Sequence, residues 1–87
     1  MYQLKLDKRV FSDLDKIPSH EAAAIEKKFE LLKQNPRPAG CKKLRGVKNL
    51  YRIRQGVYRI LYQIFDEHIL IVIIAVKHRK FAYQNLK

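Results

Sequence analysis

Leu50-Tyr51-Arg52-Ile53-Arg54-Gln55-Gly56-Val57-Tyr58-Arg59-Ile60-Leu61-Tyr62 carries the pattern of two strands around a turn. Side chains alternate in character on both sides of Gln55-Gly56, which predicts a β-hairpin because successive strand residues point to opposite faces. With Gln55-Gly56 as a two-residue turn, Arg52 is expected opposite Arg59, and Arg54 on the same face. Like charges facing each other across a strand pair are destabilising. The arrangement makes sense if a polyanion sits there, and a nucleic-acid backbone is the obvious one. The neighbourhood agrees: from Leu31 to Phe65 there are nine Lys or Arg residues and no Asp or Glu.

Working outward, Ile69 to Val76 reads as a further strand, joined to the hairpin by Asp66-Glu67 as a second tight turn. In that register Tyr58, Ile60, Tyr62 and Ile64 share a face with Ile69, Ile71, Ile73 and Ala75, and this face receives helices. Arg52, Arg54 and Arg59 point the other way, together with Leu61, Phe65, Leu70, Val72 and Ile74. The apolar end of that second face needs a cover, for which the segment Phe81 to Leu86 or a partner protein are the candidates.

Upstream, Tyr2, Leu4 and Leu6 alternate with Gln3 and Lys5 as a short first strand. Asp7 is placed to cap a helix over Lys8 to Ile17, with Val10, Phe11, Leu14 and Ile17 at helical spacing before Pro18. Ser19 reads as the next cap. Ala22, Ile25, Phe29 and Leu32 form a second stripe that ends before Asn35-Pro36-Arg37-Pro38-Ala39-Gly40. The expected fold class is α+β: an N-terminal strand, an α-helical hairpin, then an antiparallel β-sheet packed against the helices.

The 87 residues suffice for one core, so residues 1–87 are expected to form one domain. Hydrophobic residues make up 47% of the chain, enough to fold despite a formal net charge of +11. That charge favours nucleic acid, an anionic surface or an acidic protein as partner. The longest apolar run, Ile69 to Val76, falls well short of the roughly 20 residues that span a bilayer. Lys5, Asp7, Lys8 and Arg9 interrupt any signal-peptide core, so no membrane association and a cytoplasmic location are expected. Cys41 stands alone, which rules out an internal disulfide and a cysteine metal cage. No carboxylate or histidine cluster has ligand spacing, and no metal or cofactor is expected.

The order strand, helix hairpin, Lys-Leu-Arg-Gly (43–46), Tyr-Arg-Ile-Arg (51–54), Tyr-Arg-Ile-Leu-Tyr (58–62) and Val-Lys-His-Arg (76–79) before Tyr83 resembles the RelE/ParE superfamily of bacterial toxins over nearly the whole chain. Within it the chain is most similar to RelE. The resemblance implies a RelE-like fold and the toxin of a type II toxin–antitoxin system. It also implies an endoribonuclease that cleaves mRNA in the ribosomal A site and is neutralised by a cognate protein antitoxin. Carried over by position, the family's active site falls on Arg52, Arg54, Arg59, Arg79 and Tyr83. RelE usually has Lys at the first two positions, and the segment from Arg79 to Tyr83 is shorter here. Arg52 keeps a phosphate-binding cation. Arg54 stays charged and cannot act as a general base.

Cleavage by ribose 2′-OH attack needs proton removal, stabilisation of charge on phosphorus, and a proton for the leaving 5′ oxygen. Arg54, Arg59 and Arg79 fit the second need. His78, with an ordinary pKa near 6.5, and Tyr83 are the two candidates for moving protons. Lys42, Lys43, Arg45 and Lys48 are candidate RNA- or ribosome-binding residues beside Arg52. For any one of these cations a solvated surface is the ordinary explanation, and only the clustering of the arginines argues otherwise. Tyr51, Tyr58 and Tyr62 are most simply core residues with a polar tip. Two alternatives remain: a ParE-like inhibitor of DNA gyrase without nuclease activity, and a non-catalytic basic module that binds RNA or the ribosome.

Overall fold

The computed structural model describes residues 1–81. Strand β1 (Gln3–Leu6) leads into helices α1 (Lys8–Asp15) and α2 (Ser19–Gln34). Strands β2 (Lys42–Lys43), β3 (Leu50–Gln55), β4 (Tyr58–Phe65) and β5 (Leu70–His78) follow. The sheet runs β1-β5-β4-β3-β2. β1 lies parallel to β5, and the other pairs are antiparallel. This is the expected α+β architecture, with β1 inserted as an edge strand beside the last strand.

Local chemistry sets the helix ends. The Asp7 side chain accepts the Arg9 backbone N–H at 3.0 Å and so satisfies one of the donors that a helix start leaves free. α1 stops at Asp15, two residues short of the expected Ile17. Its last turn tightens, with Lys16 N–H donating to Asp13 O and Ile17 N–H to Leu14 O. Pro18 disfavours helical geometry at Ile17. Pro18 itself is the N-cap of α2, where Ser19 was expected: its carbonyl accepts from both Glu21 and Ala22 N–H, and no side chain caps this helix.

Ile25, Phe29 and Leu32 of α2, with Val10 and Ile17 from the α1 segment, pack on Ile53, Ile60, Tyr62, Ile64, Ile71, Ile73 and Val76 of the sheet. Each fully buried aliphatic contributes about 1.5–3 kcal/mol from water exclusion. Phe11 departs from the expected stripe and is 58% exposed. Tyr62 is wholly buried, and its hydroxyl donates to Pro36 O at 2.7 Å, tying the loop after α2 to the middle of β4.

Three register details differ from expectation. The β3–β4 turn is Gly56-Val57, because Gln55 pairs with Tyr58, so Arg54 faces Arg59 and Arg52 faces Leu61. Gly56 has φ 61°, and a positive φ at the first turn position alone is the type II′ pattern. A turn on Gln55-Gly56 of the type I′ kind would force that conformation on Gln55. Second, β4 and β5 are joined by a 3-10 turn over Asp66–His68, with Ile69 left-handed at φ 49°, where a tight Asp66-Glu67 turn was expected. Third, Leu61 pairs with Ala75 but Tyr62 with Ile73, leaving Ile74 as a bulge. Ile69, in the left-handed turn before β5, is exposed, and beyond the bulge Val76 takes the core position expected for Ala75.

An ion-pair clamp closes the end of the molecule away from the hairpin turn. Arg37 holds Asp66 with two guanidinium nitrogens, at 3.2 and 2.8 Å, and lies 5.1 Å over the Tyr51 ring. The Tyr2 hydroxyl donates to Asp66 at 2.7 Å. These bonds pull the Asp66 carboxyl down to about 2, with Arg37 the larger cause and Tyr2 the next.

Candidate functional site

The sheet face away from the helices carries the cations. On β3 the core takes Tyr51 and Ile53, so Leu50, Arg52 and Arg54 project to the other side. Arg54 pairs with Arg59 on β4, and Arg59 pairs with Lys77 on β5. Three cations thus stand in one lateral line across three strands. Directly opposed side chains on neighbouring strands start roughly 4.5–5.5 Å apart.

One step down the sheet, Lys42 on β2 pairs with Arg52, which pairs with Leu61. Arg52 is only 8% exposed, and its Nε has no hydrogen-bond partner. Leu50, Leu61 and Ala75 are buried on this face outside the helix-side core, with Leu61 directly opposite Arg52. Among the described residues no carboxylate pairs with Arg52, Arg54 or Arg79; the ion pairs formed are Arg9–Asp7, His20–Glu21, Lys33–Glu30, Arg37–Asp66 and Lys77–Asp13. Arg59 Nη1 donates to Tyr58 O at 3.3 Å.

Arg79 follows the end of β5. Its N–H donates to Val57 O at 2.7 Å, which fixes its backbone beside the hairpin turn and near the Arg54–Arg59 pair. His78 goes elsewhere. It pairs with Tyr58, meets that ring edge-on at 5.8 Å, and so lies on the helix-facing side, away from the arginine line. Its Nδ1 accepts the Lys80 N–H at 3.2 Å, and its carbonyl accepts the Phe81 N–H at 2.8 Å, so the residue shapes the turn that carries Arg79. The Ile74 bulge is the cause: without it, alternation would bring His78 to the arginine side. Tyr58 is held protonated, its pKa raised by burial first and by Glu21 second. Tyr83 lies outside the described residues.

The remaining basic residues are split. Lys42 lies beside Arg52, whereas Lys43 pairs with Tyr51 and by alternation projects to the opposite side. Arg45 and Lys48 are exposed in the β2–β3 loop, where residues 43–48 line an open groove of about 490 Å³. Lys77 is the cation that sequence reading missed, since the alternation that assigns it appears only once the bulge is known. Among the described residues no group of three His, Cys, Asp or Glu side chains is gathered as a metal site. Among the described residues no helix is long and apolar enough to cross a membrane.

This fold and its basic face define a class. The chain belongs to the ParE toxin family of type II toxin–antitoxin systems, whose family model matches residues 4–83. Its resemblances run to RelE-type toxins. Toxin RelG of Mycobacterium tuberculosis is 34% identical over 85 residues, covering 97% of this chain and 98% of its own length. The mRNA interferase toxin RelE of Escherichia coli is 32% identical over 81 residues, covering 91% and 84%. Among solved structures, the toxin–antitoxin complex RelBE2 of Mycobacterium tuberculosis matches with a TM-score of 0.79 at 34% identity, over 90% of this chain and 98% of that one.

Proposed function

We propose that this toxin is an endoribonuclease that cleaves mRNA in the ribosomal A site, by attack of a ribose 2′-OH on the adjacent phosphate. The observation that carries the reading is the direct opposition of Arg54 and Arg59 with Lys77 next in line. Like charges directly opposed across a strand pair, as at Arg54 and Arg59, repel one another. A phosphodiester on that face turns the same line into an attraction, strongest where negative charge builds up on the phosphorane-like transition state.

In the reaction the 2′ oxygen bonds to phosphorus and gives up its proton, the bond to the 5′ oxygen breaks, and that oxygen takes a proton. The products are a 2′,3′-cyclic phosphate and a 5′-hydroxyl. Arg54 and Arg59 hold the non-bridging oxygens, Arg79 contacts the phosphate from the end of β5, and Arg52 supports binding. Arg54 cannot accept the proton. With His78 facing the helices and its Nδ1 occupied, Tyr83 is the proton-transfer candidate that remains from the sequence.

The relatives' toxin–antitoxin assemblies support a cognate antitoxin as protein partner. An acidic, amphipathic segment suits a chain of charge +11 and would fold on binding. A second reading is ParE-like inhibition of DNA gyrase without RNA cleavage, and the matching family model is the one described for the ParE toxin. Ribosomes programmed with an mRNA bearing a single 2′-deoxy nucleotide at the attacking position test the first reading. Cleavage of the all-ribose message and none of the substituted one is expected. Cleavage of neither, with inhibited gyrase supercoiling, would establish the second.

A further inference from the structure

The bulge at Ile74 reassigns the end of β5: Val76 turns into the core, Lys77 joins Arg59 on the cationic face, and His78 returns to the helix side. Bulges next to functional sites re-aim side chains in this way. Asp13 of α1 pins this one. Its Oδ2 accepts the Val76 N–H at 2.9 Å, on the β5 edge beyond the β1 pairing, and its Oδ1 accepts from Lys77 Nζ at 3.0 Å.

The Asp13 side chain is 10% exposed and that of Lys77 is 40% exposed. A carboxylate so far out of water needs a charge partner. An ammonium has three donors, of which Asp13 takes one. The other two are left for a ligand, on a residue whose backbone is in register with Arg59 and, through it, with Arg54. From Arg54 to Lys77 this line covers two inter-strand spacings, about 9–10 Å, which is wider than one phosphate group.

We propose that Lys77 is a third phosphate-binding cation, contacting the phosphate that flanks the scissile one on a single RNA strand, and that Asp13 is its positioning residue. The proposal rests on the RNA-cleaving reading above and specifies how the strand runs: across β3, β4 and β5.

Single-turnover cleavage of mRNA on programmed ribosomes, with the half-saturating toxin concentration followed against salt, tests it. Lys77→Ala should lower the log–log salt slope by about 0.7, the loss of one contact to a single strand, and Lys77→Arg should restore it. Lys77→Ala alone also leaves a buried carboxylate unpaired, so thermal stability falls. The double variant Asp13→Asn/Lys77→Ala separates the two roles, because Asn still accepts the Val76 N–H without a charge. Recovered stability with the slope still reduced is expected. A double variant that regains the wild-type slope reduces Lys77 to a structural partner of Asp13 and overturns the assignment. Arg59→Ala is the control: if it also cleaves as wild type, the RNA-cleaving reading fails and the assignment falls with it.

Discussion

Arg54→Gln should make the protein more stable and less active at once. Arg54 is exposed, faces Arg59 directly, and has no carboxylate partner among the described residues. Two unit charges at the roughly 5 Å that separates opposed Cβ atoms would repel by about 0.8 kcal/mol in a water-like dielectric, within the roughly 0.2–1 kcal/mol scale of cross-strand side-chain pairs. Removing one should therefore raise Tm by about 1–8 °C at low salt, at the 4–8 °C per kcal/mol typical of a domain this size. In 1 M salt, where the screening length is about 3 Å, the gain should disappear. Cleavage on programmed ribosomes should fall about 10²–10³-fold, the usual loss for one preorganised donor to a transition-state charge. Thermal unfolding at two salt concentrations and single-turnover kinetics measure both. A variant that melts lower than wild type at low salt, or cleaves within threefold of it, would refute the idea that this line of charge is kept for substrate.

Tyr62→Phe, which leaves Pro36 O without its buried donor, should cost roughly 1–3 kcal/mol, and an unchanged unfolding midpoint in denaturant would contradict it. Ile69→Gly should stabilise: relief of the left-handed Ile is worth about 1–2 kcal/mol, and the greater freedom of Gly in the unfolded chain returns about 0.5–1 of it; a lower Tm would show that φ 49° carries no strain. Asp66 is held at about 2 when folded, below the ordinary 3.8, so its ion pair stabilises fully above pH 4 and is lost as pH falls toward 2. Wild type should consequently lose more stability than Asp66→Asn over that window in acid titration followed by circular dichroism, and parallel curves would count against the clamp.

Much of the fold was legible because it is written locally. The 3–4 spacing of Ile25, Phe29 and Leu32, the cap at Asp7 and the alternation around Gly56 each report a dihedral preference or a buried face. The arginine face followed from alternation alone. The partner of each arginine did not, since a one-residue difference in turn placement decides it, and the positive φ at Gly56 moves the opposition from Arg52–Arg59 to Arg54–Arg59. The run Ile71-Val72-Ile73-Ile74 is apolar on both faces and hides its bulge, so the exchange of Lys77 for His78 had no local signal. The parallel pairing of β1 with β5 and the grip of Asp13 on Val76 join residues far apart in sequence.

The face bearing Arg54, Arg59 and Lys77 should engage mRNA and promote its cleavage. Genome-wide mapping of mRNA 5′ ends after brief induction without antitoxin, comparing wild type with a folded Arg59→Ala variant, tests it most directly. New 5′-hydroxyl ends within codons are expected for wild type and none for the variant. New ends in both, or intact mRNA with broken DNA in the wild type, would contradict it.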